Sequence, residues 1–237
     1  MPSESPAPSS KRTRRKEARP GELLDAALAL FVEKGFAATK VEEVAARAGV
    51  SKGTLFLYFP SKLDLFKAVV RHAIAGRFDE WQVELQTFEG STSELLRYCF
   101  HTWWERVGST QAAGITKMVL GEAGNFPEIA DFYRQEVADV GRDLIRRILQ
   151  RGVDSGEFRA LDAQRSVFLV LAPLMFLSMW RQMVGMCVAD DGSVTPEQYI
   201  EMQVDNLLVG LLARPSQTAP LGDSAAPATP HKIQGLS

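Results

Sequence analysis

The sequence predicts an all-α protein, and three observations support that fold class. Strong helix formers, above all Ala, Leu, Glu, Arg and Gln, are abundant among the 237 residues. Apolar residues recur three and four positions apart, whereas alternating Val-rich runs are absent. Gly and Pro gather at the ends of these periodic segments. At this length the chain can fold as one or two domains.

The first predicted helix begins at Pro20 and ends at Gly35. Proline suits the first turn of a helix, and glycine commonly follows the last turn. The predicted inward face consists of Leu24, Ala27, Leu28 and Phe31. Residues 1–19 come before this helix. They are rich in Ser and Pro up to residue 10, and residues 11–19 then carry six Lys and Arg but only one acidic residue, Glu17. This composition indicates a disordered basic arm.

Residues 39–62 predict two short helices joined by a tight turn, followed by the start of a longer helix. Thr39 and Glu42 have the spacing of a capping box for the first short helix. Gly49 can adopt the left-handed conformation that a sharp reversal needs, and Ser51 can cap the second short helix. The turn is then three or four residues long, which makes this segment a helix-turn-helix.

The second short helix has an inward and an outward face. Leu55 and Phe59 are four residues apart, so we expect both to pack inward. The candidates for contact with DNA bases or phosphates on this helix are Lys52, Gly53, Thr54, Phe56 and Tyr58. The candidates for phosphate contact around it are Thr39, Lys40 and Lys62. Lys62 lies in the first turn of the next helix, where backbone amides also favour an anion.

Charge is divided unevenly along the chain. Residues 1–62 carry 11 Lys and Arg against 7 Asp and Glu, whereas residues 63–237 carry 16 against 22. A basic N-terminal part on an acidic body suits a protein that meets a polyanion with one end only. Because the basic arm adjoins the helix-turn-helix, contact with DNA is favoured over the alternative of a tail that only aids solubility.

The segment GVSKGTLFLYFPSKLDLF resembles the signature of the TetR family of bacterial transcriptional regulators. The resemblance covers roughly residues 20–70. The positions that match the family pattern are Gly35, Thr39, Ala45, Gly49, Val50, Ser51, Gly53, Thr54, Leu55, Tyr58, Phe59, Ser61, Lys62 and Leu65. Many relatives have tyrosine at Phe56, so a hydroxyl contact with phosphate is lost there. A later segment, GEAGNFPEIADFYRQ, is similar to the ligand domains of one subset of the family.

The resemblance implies an N-terminal three-helix DNA-binding domain and a C-terminal helical domain for ligand binding and dimerisation. It further implies a homodimer, formed by the last two long helices, that binds a palindromic double-stranded DNA operator. Such a protein is expected to be a repressor that a small apolar or amphipathic effector releases from DNA. We place the DNA-binding domain at residues 20–65, the effector-binding and dimerisation domain at residues 66–213, and a disordered tail at residues 214–237.

Further amphipathic segments predict the helices of the body. The first runs from Ser61 through Trp81, and the next has Ser93 as its cap. A short helix over 112–123 is followed by a long one that starts near Pro127 and ends near Gly152. The last two helices cover about 163–186, capped by Asp162 and kinked at Pro173, and about 195–212, opened by Thr195 and Pro196.

Aromatic residues and methionines are concentrated in the body. The candidates for effector contact are Trp81, Phe100, Trp103, Trp104, Met118, Tyr133 and Met175. Aromatic residues at helical spacing fill cores more often than they line pockets, so a body without a cavity is the alternative. In that case the protein binds DNA independently of any ligand. An internal cavity of a few hundred cubic ångströms would favour the ligand hypothesis.

Chemical motifs other than the helix-turn-helix are absent from the sequence. The three histidines, His72, His101 and His231, are too far apart for a metal site, so no metal is expected. The sequence has no Gly-rich phosphate loop, no nucleophile elbow and no convincing nucleophile with a base, so we expect no catalytic residue, no cofactor and no enzyme activity. An enzyme with a hydrophobic pocket is the remaining, less supported class.

Two features bear on compartment. Cys99 and Cys187 lie in apolar surroundings and nothing indicates export, which fits a reducing cytoplasm. The apolar run over 167–180 has 14 residues, too few to span a bilayer, so we predict a buried helix and no membrane partner.

Overall fold

The computed structural model describes residues 10–187 and 194–213, with side chains described for residues 20–181 and 194–213. The predicted all-α class is confirmed, since the described residues form helices and a single isolated bridge between Phe158 and Leu212. The helices are α1 (Ser10–Ala38), α2 (Val41–Arg47), α3 (Lys52–Tyr58), α4 (Lys62–Ala73), α5 (Phe78–Thr87), α6 (Thr92–Trp103), α7 (Ala113–Glu122), α8 (Pro127–Tyr133), α9 (Asp139–Asp154), α10 (Ala163–Cys187) and α11 (Pro196–Leu211). The predicted tail, residues 214–237, lies outside the described residues.

Helix α1 begins ten residues earlier than the sequence predicted. Its backbone is helical from Ser10, with Pro20 inside the helix, whereas the sequence analysis expected residues 1–19 to form a disordered arm. Lys, Arg and Glu have high helix propensity. Residues 1–9 of the predicted arm lie outside the described residues. The predicted end is confirmed, because Gly35 leaves the helical conformation with φ 84°.

The first four helices form the domain that we call the head. Val44 and Leu55 are fully buried, and Phe59 packs against the same core. Gly49 has φ 67° at the reversal between α2 and α3. The Ser51 hydroxyl accepts a hydrogen bond from the Thr54 amide at 3.1 Å and so caps α3. The predicted helix-turn-helix is therefore confirmed.

Two helix starts in the body are stabilised by capping boxes. Ser91, and not Ser93 as predicted, caps α6 in a reciprocal capping box with Glu94. The two serines are two residues apart, and only Ser91 is three residues before a carboxylate that can complete the box. Thr195 and Gln198 form a capping box at α11, where the sequence predicted a helix start.

The helix predicted from Ser61 to Trp81 is two helices in the structure. Helix α4 ends at Ala73, a 3₁₀ turn over Ala75–Arg77 follows, and α5 then starts at Phe78. Apolar periodicity continues across this break, because both helices face the same interior, so the sequence alone did not reveal it. Two π-helical turns, Trp104–Gly108 after α6 and Arg134–Ala138 between α8 and α9, likewise interrupt helices of the body.

Helix α10 is buried on one face only, which corrects the prediction of a buried helix. Its stretch Ala163–Arg181 is long and apolar enough to cross a membrane by length and composition, and 33% of it is buried inside the protomer. The buried face packs against α9 and α11. The opposite face exposes an apolar stripe of Phe168, Leu169, Met175, Phe176 and Met179. One helix can contact its own protomer along one side only, so the second apolar face is left uncovered.

Candidate functional site

The outward surface of α3 carries most of the side chains predicted to contact DNA. Lys52, Phe56 and Tyr58 are exposed, and so is the backbone at Gly53. Thr54 is half-buried because its hydroxyl lies 2.9 Å from the Ser51 hydroxyl at the helix cap. Leu57, which the sequence analysis did not single out, is 85% exposed. An apolar side chain so exposed on this face offers a contact for a thymine methyl group.

Lys52 carries a positive charge at the N-terminal end of this surface. Its Nζ lies 2.5 Å from Oε1 of Glu42 and 5.7 Å from the centre of the Phe56 ring. The hydrogen bond from Lys52 is the main cause that lowers the pKa of the Glu42 carboxyl. Both side chains are more than half exposed, so little free energy holds them together and Lys52 can exchange Glu42 for a phosphate. Lys40 is also exposed, directly before α2.

Thr39 does not face the solvent, which contradicts its predicted capping and phosphate roles. It is 1% exposed. Its hydroxyl oxygen lies 2.7 Å from the Gly35 carbonyl and 3.1 Å from the Leu30 carbonyl, and it donates toward both. Helix α2 instead starts after Lys40, without a side-chain cap. The chain turns sharply at Gly35, and this turn carries the Thr39 side chain inward to the end of α1.

Lys62 was predicted to contact phosphate, but in the structure its side chain binds other parts of the head. Its Nζ donates to the carbonyl oxygens of Phe36 at 2.8 Å, Ala37 at 3.1 Å and Thr39 at 3.2 Å. It lies 4.6 Å from the centre of the Phe36 ring, and burial lowers its pKa. These bonds use all three protons of the ammonium group, so none is left for a phosphate. Lys62 thus holds the end of α1 against the start of α4.

A cavity of about 420 Å³, partly open to solvent, lies between the helices of the body. Its wall is made by α5, α6, α7, α9 and α10, the end of α8, the two π-helical turns, and Ile74 after α4, and it includes Phe168 and Met175 of the exposed stripe on α10. Most of the lining is apolar. The predicted effector contacts that line it are Trp81, Phe100, Trp103, Tyr133 and Met175. This volume is within the range of small-molecule pockets in proteins.

Trp104 and Met118, the other two predicted contacts, do not line the cavity. Trp104 lies on another side of its helix, where its Nε1 donates to Oε1 of Glu197 at 3.0 Å and its ring lies 5.5 Å from the Arg181 guanidinium. Met118 packs in the core cluster that includes Phe31 of α1. Helical neighbours point in different directions, and only the packing of the body decides which direction meets the empty space.

Several polar groups interrupt the apolar wall. The Thr116 and Tyr133 hydroxyls lie 2.7 Å apart, and burial raises the pKa of Tyr133, so this phenol stays protonated. The indole Nε1 of Trp81 is buried and has no hydrogen-bond partner among the described residues. Burial also raises the pKa of the Cys99 thiol to about 12, which makes it a poor nucleophile at neutral pH.

Among the described residues, two charged side chains line the cavity, and each is paired. Oε1 of Glu84 accepts from Arg106 at 2.9 Å, and Oε2 accepts from the Tyr98 hydroxyl at 3.0 Å. Arg142 donates to Asp139, three residues earlier on α9. The sequence analysis missed Glu84 and Arg142, because their place in the wall depends on contacts between distant helices.

Both halves of the chain match known family models. Residues 23–69 match the model of bacterial regulatory proteins of the tetR family, and residues 89–184 match that of the tetracyclin repressor-like C-terminal domain. The chain belongs to the TetR family. It is accordingly a DNA-binding transcriptional regulator, as its homologues are.

Relatives of this TetR-family regulator are similar over most of its length. The transcriptional repressor KstR2 of Rhodococcus jostii is 26% identical over 202 residues, which cover 84% of this chain and 96% of that protein. The structure of the ketosteroid regulator KstR2 of Mycobacterium tuberculosis has a TM-score of 0.61 at 22% identity, covering 83% of this chain and 96% of that one. FadR of Bacillus subtilis, solved with stearoyl-CoA, has a TM-score of 0.59 at 20% identity, covering 80% and 98%.

Helix α4 connects the two candidate sites of this TetR-family regulator. Lys62 at its start bonds the end of α1, and Ile74 just beyond its end lines the cavity. Between them, the Arg71 guanidinium donates two hydrogen bonds to the Glu136 carboxylate, at 2.6 and 3.2 Å. Glu136 lies in the π-helical turn whose Val137 also lines the cavity. A change in the cavity wall is therefore mechanically linked to the position of α4.

Helix α7 makes a second connection between head and body. Thr116 near its start lines the cavity, and Oε1 of Glu122 at its end accepts a hydrogen bond from the Ala37 amide at 3.0 Å. Ala37 is one of the residues whose carbonyl Lys62 binds. Helices α4 and α7 therefore both hold the end of α1 at Ala37, α4 through its carbonyl group and α7 through its amide.

Proposed function

We propose that this protein is a repressor that binds a palindromic operator as a homodimer and leaves it when a small apolar or amphipathic effector fills the cavity. The cavity of about 420 Å³ carries this proposal. A ligand-independent DNA-binding protein has no need of such a space and gains stability by filling it. As a regulator of transcription it would act in the cytoplasm.

The exposed side of α10 supports the homodimer. Its apolar stripe is uncovered in one protomer, and α11 adds Met202 at 55% and Val209 at 71% exposure. A second copy of the chain that packs its own α10 and α11 against these helices would form a four-helix interface and remove this surface from water. A twofold dimer presents two copies of α3 to two half-sites, about one helical turn of DNA or slightly more apart.

The operator contacts proposed for each protomer lie on and beside α3. Tyr58, Phe56, Thr54 and Gly53 face the major groove or its walls, while Lys52 and Lys40 bind phosphates. Thr39 and Lys62 are withdrawn from the predicted set because their polar atoms are used inside the head. Leu57 is added, since its exposure permits apolar contact with a base.

Release from DNA follows from the link between the cavity and α4. An effector that binds one conformation of the dimer more tightly than the other shifts the population toward that conformation. Filling the cavity presses on Ile74, just beyond the end of α4, and on Val137. Val137 lies in the π-helical turn whose Glu136 is bound by Arg71 of α4. A tilt of α4 would move α3 with it, through Lys62 and the core of the head.

The relatives supply ligand chemistry for comparison. One structural neighbour is a ketosteroid transcriptional regulator, and another was solved in complex with stearoyl-CoA. Both ligand types have a large apolar part, which agrees with the mostly apolar wall of the cavity. At 20 and 22% identity these neighbours support the fold.

Selection of binding sites from random and genomic DNA tests the operator half of the proposal. The full-length protein is expected to enrich a palindrome. Tyr58→Ala and Lys52→Ala should lose or weaken binding to it while they retain the helical circular dichroism spectrum. Lys117→Ala, which removes an exposed lysine from α7 far from α3, is the matched control and should bind as the wild type does. The proposal is wrong if no site is enriched, or if all three variants bind equally.

A further inference from the structure

We propose that the effector is an amphipathic carboxylate, whose apolar part fills the cavity and whose head group is bound by Arg142 at the rim. This inference rests on the proposed function, which places the effector in the cavity. It narrows the ligand class, because an apolar wall alone suits an alcohol, an ester or a carboxylate equally well. Three features support it: the position of Arg142, the unused donors of its guanidinium group, and a second cation beside Asp139.

Arg142 lies at the edge of the face that α9 turns toward the cavity. The residues of α9 that line the cavity are Gly141, Arg142, Leu144, Ile145 and Ile148. At 3.6 residues per turn these positions form one face of the helix, and Arg142 is at its solvent edge. Leu144, Ile145 and Ile148 are buried, whereas the side chain of Arg142 is 38% exposed. A head group bound at this edge keeps part of its hydration while the rest of the ligand is buried.

The guanidinium group of Arg142 has donors to spare. It donates to Asp139, three residues earlier on α9, and this is the one hydrogen bond that Arg142 makes among the described residues. A guanidinium carries five N–H donors in a planar fork that matches the two oxygens of a carboxylate. Charge-assisted bonds of this bidentate kind are among the strongest hydrogen bonds in proteins. Arg142 can therefore bind a carboxylate specifically.

Asp139 keeps a positive partner when Arg142 turns to a ligand. Nη1 of Arg134 donates to Oδ2 of Asp139 at 2.9 Å, on the oxygen that Arg142 does not use. The side chains of Arg142 and Asp139 are 38 and 40% exposed, and ion pairs with such exposure contribute little to stability. Rotation of the long Arg142 side chain from Asp139 to the cavity is therefore a small cost compared with a new bidentate bond.

Glu84, the other charged side chain among the described lining residues, is not available in the same way. Its Oε1 accepts from Arg106 at 2.9 Å and its Oε2 accepts from the Tyr98 hydroxyl at 3.0 Å. Among the described residues, Glu84 is the one carboxylate in a salt bridge with Arg106. A cationic effector that took Glu84 would leave Arg106 without a counter-ion. The pairing of the two wall charges thus favours an anionic effector over a cationic one.

The rest of the wall suits an apolar ligand body of moderate size. Most of the lining is apolar, and the volume of about 420 Å³ lies in the lower part of the range of about 300–1,000 Å³ for small-molecule sites. Such a space can take one hydrocarbon chain or one fused ring system. The carboxylate then lies at the rim beside Arg142, and the apolar body lies against the buried residues of α9.

Matched pairs of ligands that differ in their head group test the inference. The pairs are decanoate and decanol, and anthracene carboxylate and anthracene methanol. Binding to the full-length protein at neutral pH is measured by isothermal titration calorimetry. In each pair that binds, the carboxylate is expected to bind at least about tenfold more tightly than the alcohol, through its bond to Arg142. Equal or tighter binding of the alcohols overturns the inference and leaves the proposed function intact.

Arg142→Gln tests whether Arg142 is the group that binds the carboxylate. This variant should bind each carboxylate about tenfold more weakly than the wild type does and each alcohol equally well. Arg142→Lys keeps the charge without the planar fork, so its affinity for the carboxylates should lie between the two. Unchanged binding of the carboxylates to Arg142→Gln would refute the role of Arg142.

Arg146→Gln is the matched control. Arg146 lies one turn further along α9, its side chain is also 38% exposed, and it pairs with Asp143 three residues earlier, as Arg142 pairs with Asp139. It does not line the cavity, so this variant should bind both members of each pair as the wild type does. Equal losses in Arg142→Gln and Arg146→Gln would mean that the general charge of α9 attracts the carboxylate, which overturns the inference. If no member of either pair binds the wild type, the inference fails together with the effector half of the proposed function.

Discussion

The junction between head and body is filled with aromatic rings, whereas the interior of the body is surrounded by them and left empty. At the junction Phe31, Phe36 and Phe66 lie 5.6–5.8 Å apart between ring centres, and Phe126 and Phe132 extend the group. We call these five residues the phenylalanine cluster. Inside the body Trp81, Phe100, Trp103 and Tyr133 instead face a cavity of about 420 Å³.

Aromatic residues thus serve two different purposes in the same chain: they fill the junction, and they line the cavity. Aromatic rings in edge-to-face contact bury a large area and make the junction rigid. Rings that face an empty space give up part of their dispersion contacts, and that cost persists only where a ligand or a motion makes use of the space. We therefore expect the effector to act on the cavity wall, and the rigid junction to transmit the resulting motion to the head.

Removing one aromatic ring from each region tests this comparison, and it should give the largest change in the free energy of unfolding. Phe66→Ala, in the phenylalanine cluster, should lower the free energy of unfolding by about 3–5 kcal/mol, since Phe66 is fully buried among other rings. Trp103→Ala should cost roughly half as much, because one side of that ring already faces the cavity. Urea denaturation at one fixed protein concentration measures both. Equal losses would mean that the cavity wall is as well packed as the junction.

Lys62 tests whether the end of α1 is held by a structural cation. Lys62→Met keeps the length of the side chain and removes the three hydrogen bonds to carbonyl groups, so we expect a loss of about 1.5–3 kcal/mol in the free energy of unfolding. The slope of log Kd for the operator against log salt should stay unchanged. Lys52→Ala is the control, and should reduce that slope by about 1, the value for one phosphate contact. If Lys62→Met is as stable as the wild type but has a smaller salt slope for operator binding, the prediction that Lys62 contacts phosphate is correct after all.

Added volume should have opposite effects in the two regions, although this is the smallest of the three effects. Ala27 is fully buried in the head, so Ala27→Leu should destabilise the protein by about 1–3 kcal/mol through overpacking. Ala113 lines the cavity, so Ala113→Leu is expected to be neutral or to stabilise by up to about 1 kcal/mol while it weakens effector binding. Thermal unfolding of both variants gives the comparison. Destabilisation by Ala113→Leu to the extent of Ala27→Leu would contradict it.

Most of the helix-turn-helix was predictable from the sequence, and five of the seven candidates for effector contact line the cavity. Gly49, Ser51 and Leu55 act within a few residues of their own positions, so their roles follow from local rules of turns, caps and periodicity. The roles of Thr39 and Lys62 could not be predicted from such local rules, because the groups that bind these side chains come from the end of α1. For Lys62 the partners are 23 to 26 residues away in the sequence.

The all-α class, helix α3 and the family could be predicted from the sequence alone, because helix propensity, capping and the signature motif are all local properties of the chain. The packing of the helices was needed to show that Trp103 lines a cavity while its neighbour Trp104 bonds Glu197. It also decided that Glu84 and Arg142 reach the wall with their charges already paired. The space between helices depends on how six of them pack at once, and no single segment contains that information.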